Sequence, residues 1–183
     1  FEGKKVVVRA LDAGADKPLP FLTDKDEENP ALGRRVLRAL RNHEEVLRDQ
    51  LTALAQADAQ TEADLWVMAP MVADAEETEY FVTLARELGI RTAGVMAEVP
   101  SLALMADQVF QNADFVSIGT NDLTQYTMAA DRMLGTVASF QDPWHPAVLR
   151  LVAQLGTAGA TAGKAVGICG EAAADPLLAV VLV

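Results

Sequence analysis

The sequence has one cysteine, few aromatic residues and no long apolar run. A single Cys among 183 residues excludes an internal disulfide framework and is typical of a reducing compartment. No run approaches the roughly 20 apolar residues that a bilayer span needs, and the first residues lack the layout of a signal peptide. These absences predict a cytoplasmic protein with no membrane insertion.

Basic residues are also scarce. Lys and Arg number 15 against 26 Asp and Glu, which gives a net charge of −11. So acidic a chain repels a phosphate backbone, and nucleic acid is therefore a poor candidate partner. The sequence has no glycine-rich dinucleotide loop, no P-loop and no linker segment. Its composition, 51% apolar and 22% charged, predicts that residues 1–183 belong to one globular domain.

Short apolar runs closed by polar or small residues recur along the chain and predict buried strands. Their nearly continuous apolar character favours parallel strands that are covered on both faces. The stretches between them have helical periodicity, so the predicted order is strand, helix, strand, helix, as in an α/β protein. The five predicted strands are Lys5–Leu11, Leu65–Met71, Thr92–Glu98, Phe115–Gly119 and Ala165–Cys169.

The helical stretches carry recognisable stripes and caps. Apolar residues three or four apart predict one long amphipathic helix over Leu32–Leu54. Asp74 and Glu77 have the spacing of a capping box at the start of the next helix. Ser101 is the predicted N-cap of a third helix, and the stripe over Val148–Leu155 predicts a fourth.

Periodicity alone leaves a doubly wound sheet and a βα barrel open. Ionisable or hydrogen-bonding side chains follow nearly every predicted strand at its C-terminal end. A βα barrel has its active site at the C-terminal ends of its strands, so this placement favours the barrel. A closed barrel has eight strands, so five imply that three lie outside this chain. The apolar ending, Leu177–Val183, likewise predicts a piece of a larger domain.

The densest candidate site is "SIGTNDLTQYTMAADR", Ser117–Arg132, which reads as a strand, a turn and a helix. The free amides of a helix N-terminus suit a phosphate, and Asp122 beside Asn121 is an oxygen ligand of the kind Mg²⁺ prefers. Arg132 can return to the same anion as a fork-shaped donor. The alternative is that Asn121 or Asp122 only caps the helix and that Arg132 is a solvated surface residue.

Glu98 follows the apolar run "AGVMA". An acid at the end of a buried strand must meet water, a cation or a partner. With Asp122 it can form a two-carboxylate Mg²⁺ site that leaves room for substrate oxygens. The alternative is an ion pair with a structural arginine.

Two arginines near the first strand are further candidates. Arg9 lies within "VVVRAL", and a guanidinium there needs an anion nearby. Arg35 follows Pro30 in a helix predicted to begin near Ala31. The alternative for Arg35 is an exposed arginine on a helix surface.

Cys169 ends the last predicted strand, between two glycines. It is either a small buried apolar residue or a thiol that exchanges a proton with a bound substrate. His43 and His145 have no nucleophile beside them in sequence, and no role is assigned to them.

Together with "EENPALGRR", "VMAEVP" and "GICGEAA", the Ser117–Arg132 motif closely resembles the C-terminal domain of Enzyme I of the bacterial sugar phosphotransferase system. That family, phosphoenolpyruvate-protein phosphotransferase, belongs to the phosphoenolpyruvate-utilising enzymes. The resemblance runs from about Val6 to the end of the chain. It implies an incomplete (β/α)8 TIM barrel whose strands match the third to the seventh.

The resemblance also implies a reaction. The phosphoryl group of phosphoenolpyruvate passes, with Mg²⁺, to a histidine on a separate N-terminal domain and then to the phosphocarrier protein HPr, which starts sugar uptake. The intact enzyme is expected to be a homodimer, and this chain alone is expected to be inactive. By resemblance the Mg²⁺ ligands are Glu98 and Asp122, the substrate-binding residues are Arg9, Arg35, Asn121 and Arg132, and the proton donor to the enolpyruvate carbon is Cys169.

Three alternatives stay open at this point. Pyruvate phosphate dikinase and phosphoenolpyruvate synthase share the barrel and the asparagine-aspartate motif. A non-catalytic folded fragment would release no pyruvate. A metal-dependent aldolase barrel would cleave a carbon-carbon bond and would have no use for the arginines.

Overall fold

The computed structural model describes residues 1–14, 16–22 and 27–182. Over these residues the chain alternates strands with helices, as the sequence predicts. The strands are β1 (Lys5–Arg9), β2 (Asp64–Ala69), β3 (Thr92–Ala97), β4 (Phe115–Gly119) and β5 (Ala165–Cys169). The helices are α1 (Leu37–Asn42), α2 (Glu44–Asp58), α3 (Ala75–Glu87), α4 (Pro100–Leu104), α5 (Ala106–Asn112), α6 (Thr120–Met128), α7 (Pro146–Ala162), α8 (Glu171–Ala174) and α9 (Pro176–Leu182).

The strands follow one another in the sheet in chain order, from β1 to β5. The pairings of β1 with β2, of β3 with β4 and of β4 with β5 are parallel. A doubly wound sheet reverses its strand order at a switch point, whereas a βα barrel adds each strand beside the previous one. The α/β prediction is therefore confirmed, with the winding of a βα barrel. Within the described residues, no helix is long and apolar enough to span a bilayer.

The chain divides into two compact units, residues 1–71 with 80–94 and residues 72–79 with 95–183. In the first unit, β1 pairs with β2 from Lys5 opposite Asp64 to Arg9 opposite Met68. The apolar stripe predicted from Leu32 onward is buried there only in part, since Leu32 itself is 67% exposed. Its buried members, each at most 2% exposed, are Val36, Leu40, Leu47 and Leu51.

The single long helix predicted over Leu32–Leu54 is wrong. The structure has a short 3-10 turn at Pro30–Leu32, followed by two separate helices, α1 and α2. Val36 precedes α1 with φ of 51°, and its N–H donates to Ala13 O at 2.8 Å rather than to a helical carbonyl. His43 then separates α1 from α2 with φ of −130°. Both α1 and α2 bury leucines spaced three or four residues apart, which is why their combined sequence resembles one long amphipathic helix.

In the second unit, β4 and β5 pair from Phe115 opposite Ala165 to Gly119 opposite Cys169. Their C-terminal ends are therefore level, which brings the segments that follow them to the same edge. The sequence predicted both strands with the bounds that the structure has. The predicted fourth helix is also confirmed, as α7.

One predicted cap is confirmed and one is wrong. Asp74 Oδ1 accepts from the N–H of Glu77 at 2.8 Å, and Glu77 Oε2 accepts from the N–H of Ala73 at 2.8 Å. These reciprocal bonds form a capping-box arrangement. Ser101, in contrast, lies inside α4, and its hydroxyl donates to Ala73 O at 2.6 Å. Pro100 begins α4 one residue earlier because its fixed φ suits the first helical position.

Candidate functional site

The Glu98 side chain lies against Gly119 in the second unit. Glu98 is 4% exposed. A Cβ added at residue 119 would lie 2.6 Å from Glu98 Cγ and 2.7 Å from Oε1. Any larger residue at the end of β4 would displace this carboxyl group. Gly119 therefore provides the space that keeps the buried acid beside the start of α6.

Asp122 lies in the first turn of α6 and is 6% exposed. The N-cap of this helix is Gly119, which has no side chain with which to cap it. The N-cap position therefore belongs to neither Asn121 nor Asp122. Asp122 Oδ2 lies 3.6 Å from Arg132 Nη2, and the Arg132 side chain is 29% exposed, so Arg132 is not a fully solvated surface residue.

Asn121 connects the segment after β4 to the segment after β5. Its Oδ1 accepts from the N–H of Glu171 at 2.9 Å. The preceding Gly170 has φ of 91°, and a Cβ there would lie 2.5 Å from Thr120 Oγ1. Glycine is required at residue 170 for both reasons. The "CGE" part of the last motif thus has a local structural explanation.

Cys169 is partly exposed and has polar neighbours. Its Sγ donates to Ile118 O at 3.4 Å and accepts from Ser117 Oγ at 3.7 Å. The Thr120 hydroxyl donates to Cys169 O at 2.9 Å, which fixes the backbone at the end of β5. These contacts differ from those of a cysteine that only fills apolar space.

A cleft of about 210 Å³ opens beside these segments. Asn121 and Arg132 are the two predicted site residues that line it. The other lining residues are Thr120, Thr124, Met133, Gln141, Pro143, Glu171 and Ala172. Asn121 and Gln141 supply amide donors and Arg132 a guanidinium, which can bind an anion, and Glu171 adds a carboxylate to the same lining.

The first unit contains a separate charged cluster around Asp12, which is 5% exposed. One carboxylate oxygen of Asp12 lies 3.0 Å from Arg9 Nη1 and 2.6 Å from Lys17 Nζ. The other lies 3.8 Å from Arg35 Nη2. The anion that the sequence analysis requires near Arg9 is therefore supplied within the chain by Asp12.

Arg35 differs from its prediction. It precedes α1 rather than lying in the first turns of a helix, and its side chain is 3% exposed. Its Nε lies 3.1 Å from Asp16 Oδ2. Both the helical placement and the alternative of an exposed surface arginine are wrong, because the loop ending at Val36 turns Arg35 inward onto two carboxylates.

Sequence reasoning also missed several side chains. Asp16 and Lys17 stand in a small-residue turn next to Asp12, and their alternating charges were a usable signal. Gln125 and Gln141 gave no signal, because a glutamine in a helix or loop has no distinctive pattern. His145, to which no role was assigned, is the N-cap of α7, where Nδ1 accepts from the N–H of Ala147 at 3.2 Å.

Glu98 and Asp122 fit the donor set that Mg²⁺ prefers, two buried carboxylates. No group of three or more His, Cys, Asp or Glu side chains suited to a metal occurs in the described part of the chain. A cation held by this pair would therefore need further oxygens from substrate or water, which is the usual arrangement for Mg²⁺.

The winding of the sheet, with polar side chains after its strands, defines an α/β domain of the βα-barrel class. The chain belongs to the phosphoenolpyruvate-utilising enzymes, as the model of their phosphoenolpyruvate-binding domain matches residues 1–183.

Curated relatives agree with the family. The chain is 58% identical over 183 residues to the phosphoenolpyruvate-protein phosphotransferase of Streptomyces coelicolor, covering 100% of this chain and 33% of that protein. It is 44% identical over 189 residues to the protein of that name from Bacillus subtilis, covering 97% of this chain and 33% of that protein. A multiphosphoryl transfer protein of Rhodobacter capsulatus is 41% identical over 188 residues, covering 100% of this chain and 22% of that protein. The chain thus spans about a third of the first two relatives.

Proposed function

We propose that this chain is the phosphoenolpyruvate-binding part of a phosphoenolpyruvate-protein phosphotransferase that requires Mg²⁺. The observation that carries the proposal is the pairing at the start of α6, where the buried carboxylate of Asp122 lies 3.6 Å from the Arg132 guanidinium. An anionic substrate that binds together with a divalent cation needs a carboxylate for the cation and a guanidinium for the anion at the same site. Because the chain belongs to the phosphoenolpyruvate-utilising enzymes, phosphoenolpyruvate is the proposed anion.

Glu98 and Asp122 are the proposed Mg²⁺ ligands. Both are buried carboxylates in the same unit, and Gly119 leaves room for the first of them. When bound, Mg²⁺ neutralises charge on the transferring phosphoryl group. The acidic pair itself would otherwise repel the substrate, so phosphoenolpyruvate binding is expected to depend on the cation.

Arginines and an amide are the proposed substrate-binding groups. Phosphoenolpyruvate has a phosphate and a carboxylate, and guanidinium forks hold such groups by charge-assisted hydrogen bonds. Asn121 and Arg132 line the cleft beside α6. Arg9 and Arg35 are proposed on the family resemblance. Arg9 is 42% exposed, so its guanidinium is accessible to solvent although it is paired with Asp12.

The proposed reaction has two steps. The bond between phosphorus and the enol oxygen breaks as the phosphoryl group passes to a histidine nitrogen, and the electron pair stays on the enolate. The enolate carbon then takes a proton from the Cys169 thiol, which yields pyruvate and a thiolate that solvent reprotonates. The Ser117 hydroxyl, 3.7 Å from Sγ, can donate to that thiolate.

The proposed partners follow from the same function. The phosphoryl group would pass on to HPr, and the intact enzyme would be a cytoplasmic homodimer. Four large apolar side chains are 40% or more exposed within Met133–Trp144 and support self-association, namely Met133, Leu134, Phe140 and Trp144. Light scattering of the intact protein at two concentrations would test the dimer.

The function is tested by giving the full-length protein phosphoenolpyruvate and Mg²⁺ with either HPr or AMP plus pyrophosphate. We expect pyruvate release and phosphorylated HPr in the first mixture, and no ATP in the second. ATP formation would instead identify a pyruvate phosphate dikinase. Pyruvate release in neither mixture would contradict a phosphotransferase. This chain by itself, assayed alongside, is expected to release no pyruvate.

A further inference from the structure

A buried glutamine fixes the backbone that leads to Arg132. Helix α6 ends at Met128, and the residue that caps it, Ala129, has φ of 51°. The next N–H, that of Ala130, donates to Gln125 O at 3.1 Å. The Gln125 side chain then reaches further along the same turn, where Oε1 accepts from the N–H of Arg132 at 2.9 Å. One residue thus holds both the beginning and the end of the turn 129–132.

A second glutamine holds the middle of this turn from another segment. Gln141 follows the 3-10 turn Gly135–Phe140, and its Nε2 donates to Ala130 O at 2.6 Å. Gln141 lines the cleft, whereas Gln125 is 8% exposed and is not a lining residue. Gln125 is therefore placed to act on a ligand in the cleft only through the backbone that it binds.

The consequence concerns the direction of the Arg132 side chain. Arginine has a long flexible stem, and holding its planar fork on a phosphate requires a fixed starting point at the backbone. Arg132 lines the cleft, and its Nη2 lies 3.6 Å from Asp122 Oδ2. A turn free to move would let the guanidinium swing away from the cleft toward solvent.

We propose that Gln125 is a positioning residue for Arg132: its hydrogen bond to the Arg132 N–H aims the guanidinium at the phosphate of the substrate, with Gln141 supporting the same turn. This inference rests on the proposed function, which gives Arg132 its ligand. It assigns to Gln125 a part in substrate affinity although its side chain does not line the cleft.

The test is a double-mutant cycle in the full-length protein, with KM for phosphoenolpyruvate and kcat measured separately at saturating Mg²⁺. The variants are Gln125→Met, which has similar length and no acceptor, Arg132→Leu and their combination. Gln125→Met should lower kcat/KM about tenfold, since a charge-assisted contact is loosened. It should divide this loss between KM and kcat as Arg132→Leu does, and it should cost almost nothing in the Arg132→Leu background. Gln154→Met, on the exposed side of α7, is the matched control and should change neither parameter.

Each other outcome has a definite meaning. An equal loss from Gln125→Met in both backgrounds, or no loss at all, would overturn the inference. An Arg132→Leu protein with normal kinetics would instead overturn the proposed role of Arg132, so the two failures are distinguishable. If Gln125→Met does not fold, Gln141→Met removes the bond to Ala130 O. The same dependence on Arg132 is then expected, and its absence would overturn the proposal.

Discussion

Two charged clusters of this chain solve the problem of burying a carboxylate in different ways. In the first unit, Asp12 and Asp16 face three cations, Arg9, Lys17 and Arg35. In the second unit, Glu98 and Asp122 are 4% and 6% exposed, and Arg132 Nη2 lies 3.6 Å from Asp122 Oδ2. The first cluster therefore has more cations than carboxylates.

The comparison bears on the role of each cluster. The carboxylates of Asp12 and Asp16 are paired with cations of the chain itself, whereas Glu98 and Asp122 are the carboxylates proposed to bind Mg²⁺. The cation-rich cluster has positive charge to offer an anion. We therefore expect substitutions in the second unit to act mainly on catalysis and those around Asp12 to act strongly on stability.

The largest effect is expected from Asp122→Asn or Glu98→Gln. Loss of a Mg²⁺ ligand removes several kcal/mol of transition-state stabilisation, so kcat/KM for pyruvate release should fall about a thousandfold or more. The free energy of unfolding should change much less than kcat/KM, because an amide has nearly the shape of the carboxylate that it replaces. Asp107→Asn, exposed on α5, is the control. If a folded Asp122→Asn protein keeps the same dependence of pyruvate release on Mg²⁺, Asp122 is not a Mg²⁺ ligand, and the proposed difference between the two clusters is wrong.

Next in size is Cys169→Ser. A hydroxyl is a much weaker acid than a thiol, so kcat should fall roughly a hundredfold or more, as for loss of a general acid. Phosphoenolpyruvate affinity should stay nearly the same, because the thiol acts after binding. Calorimetry and pyruvate release measured on one preparation separate the two quantities. Full turnover in Cys169→Ser would leave the residue a purely structural role.

Arg35→Leu tests the cation-rich cluster. It removes the least exposed cation and leaves Asp12 and Asp16 with fewer partners. Breaking such a buried pair should lower the free energy of unfolding by about 3 kcal/mol. Denaturant unfolding followed by Trp66 fluorescence in a Trp144→Phe background reports on this unit. Arg38→Leu, at an exposed position of α1, is the control. Equal stability of the two variants would show that the cluster is not structural.

The smallest effect concerns Tyr80 in the first unit. Burial, together with its hydrogen bond to Glu44 Oε2 at 2.9 Å, raises the pKa of Tyr80 to about 12. Because the folded pKa lies above the ordinary value of about 10, the stability from this group is present below about pH 10 and is lost as the pH rises toward about 12. Ultraviolet titration in a Tyr126→Phe background isolates Tyr80. Glu44→Gln should lower its pKa, whereas Glu45→Gln should leave it unchanged.

Local signals predicted much of this structure. β4 and β5 have the predicted bounds because each is a continuous apolar run closed by glycine, and the Asp74–Glu77 capping box needs only neighbouring residues. Arg35 was misplaced because its surroundings depend on Val36, whose left-handed backbone follows from a tertiary hydrogen bond to Ala13. Contacts between distant segments have no local pattern in sequence.

The candidate site was predicted unevenly for the same reason. Motifs identified the residue types at the ends of β3, β4 and β5. Gln141, which contacts Ala130 from a distant turn, could not be found from spacing. Neither could the room that Gly119 leaves for Glu98, since a close approach appears only when two strands lie side by side.

Calorimetry of phosphoenolpyruvate binding to the full-length protein, with Mg²⁺ and with a chelator, tests the central claim most directly. We predict that the cation tightens binding at least about tenfold, which corresponds to about 1.4 kcal/mol, and that Glu98→Gln removes this dependence. Equal affinity in both conditions, or a dependence that survives in Glu98→Gln, would contradict the assignment of a Mg²⁺ site to Glu98 and Asp122.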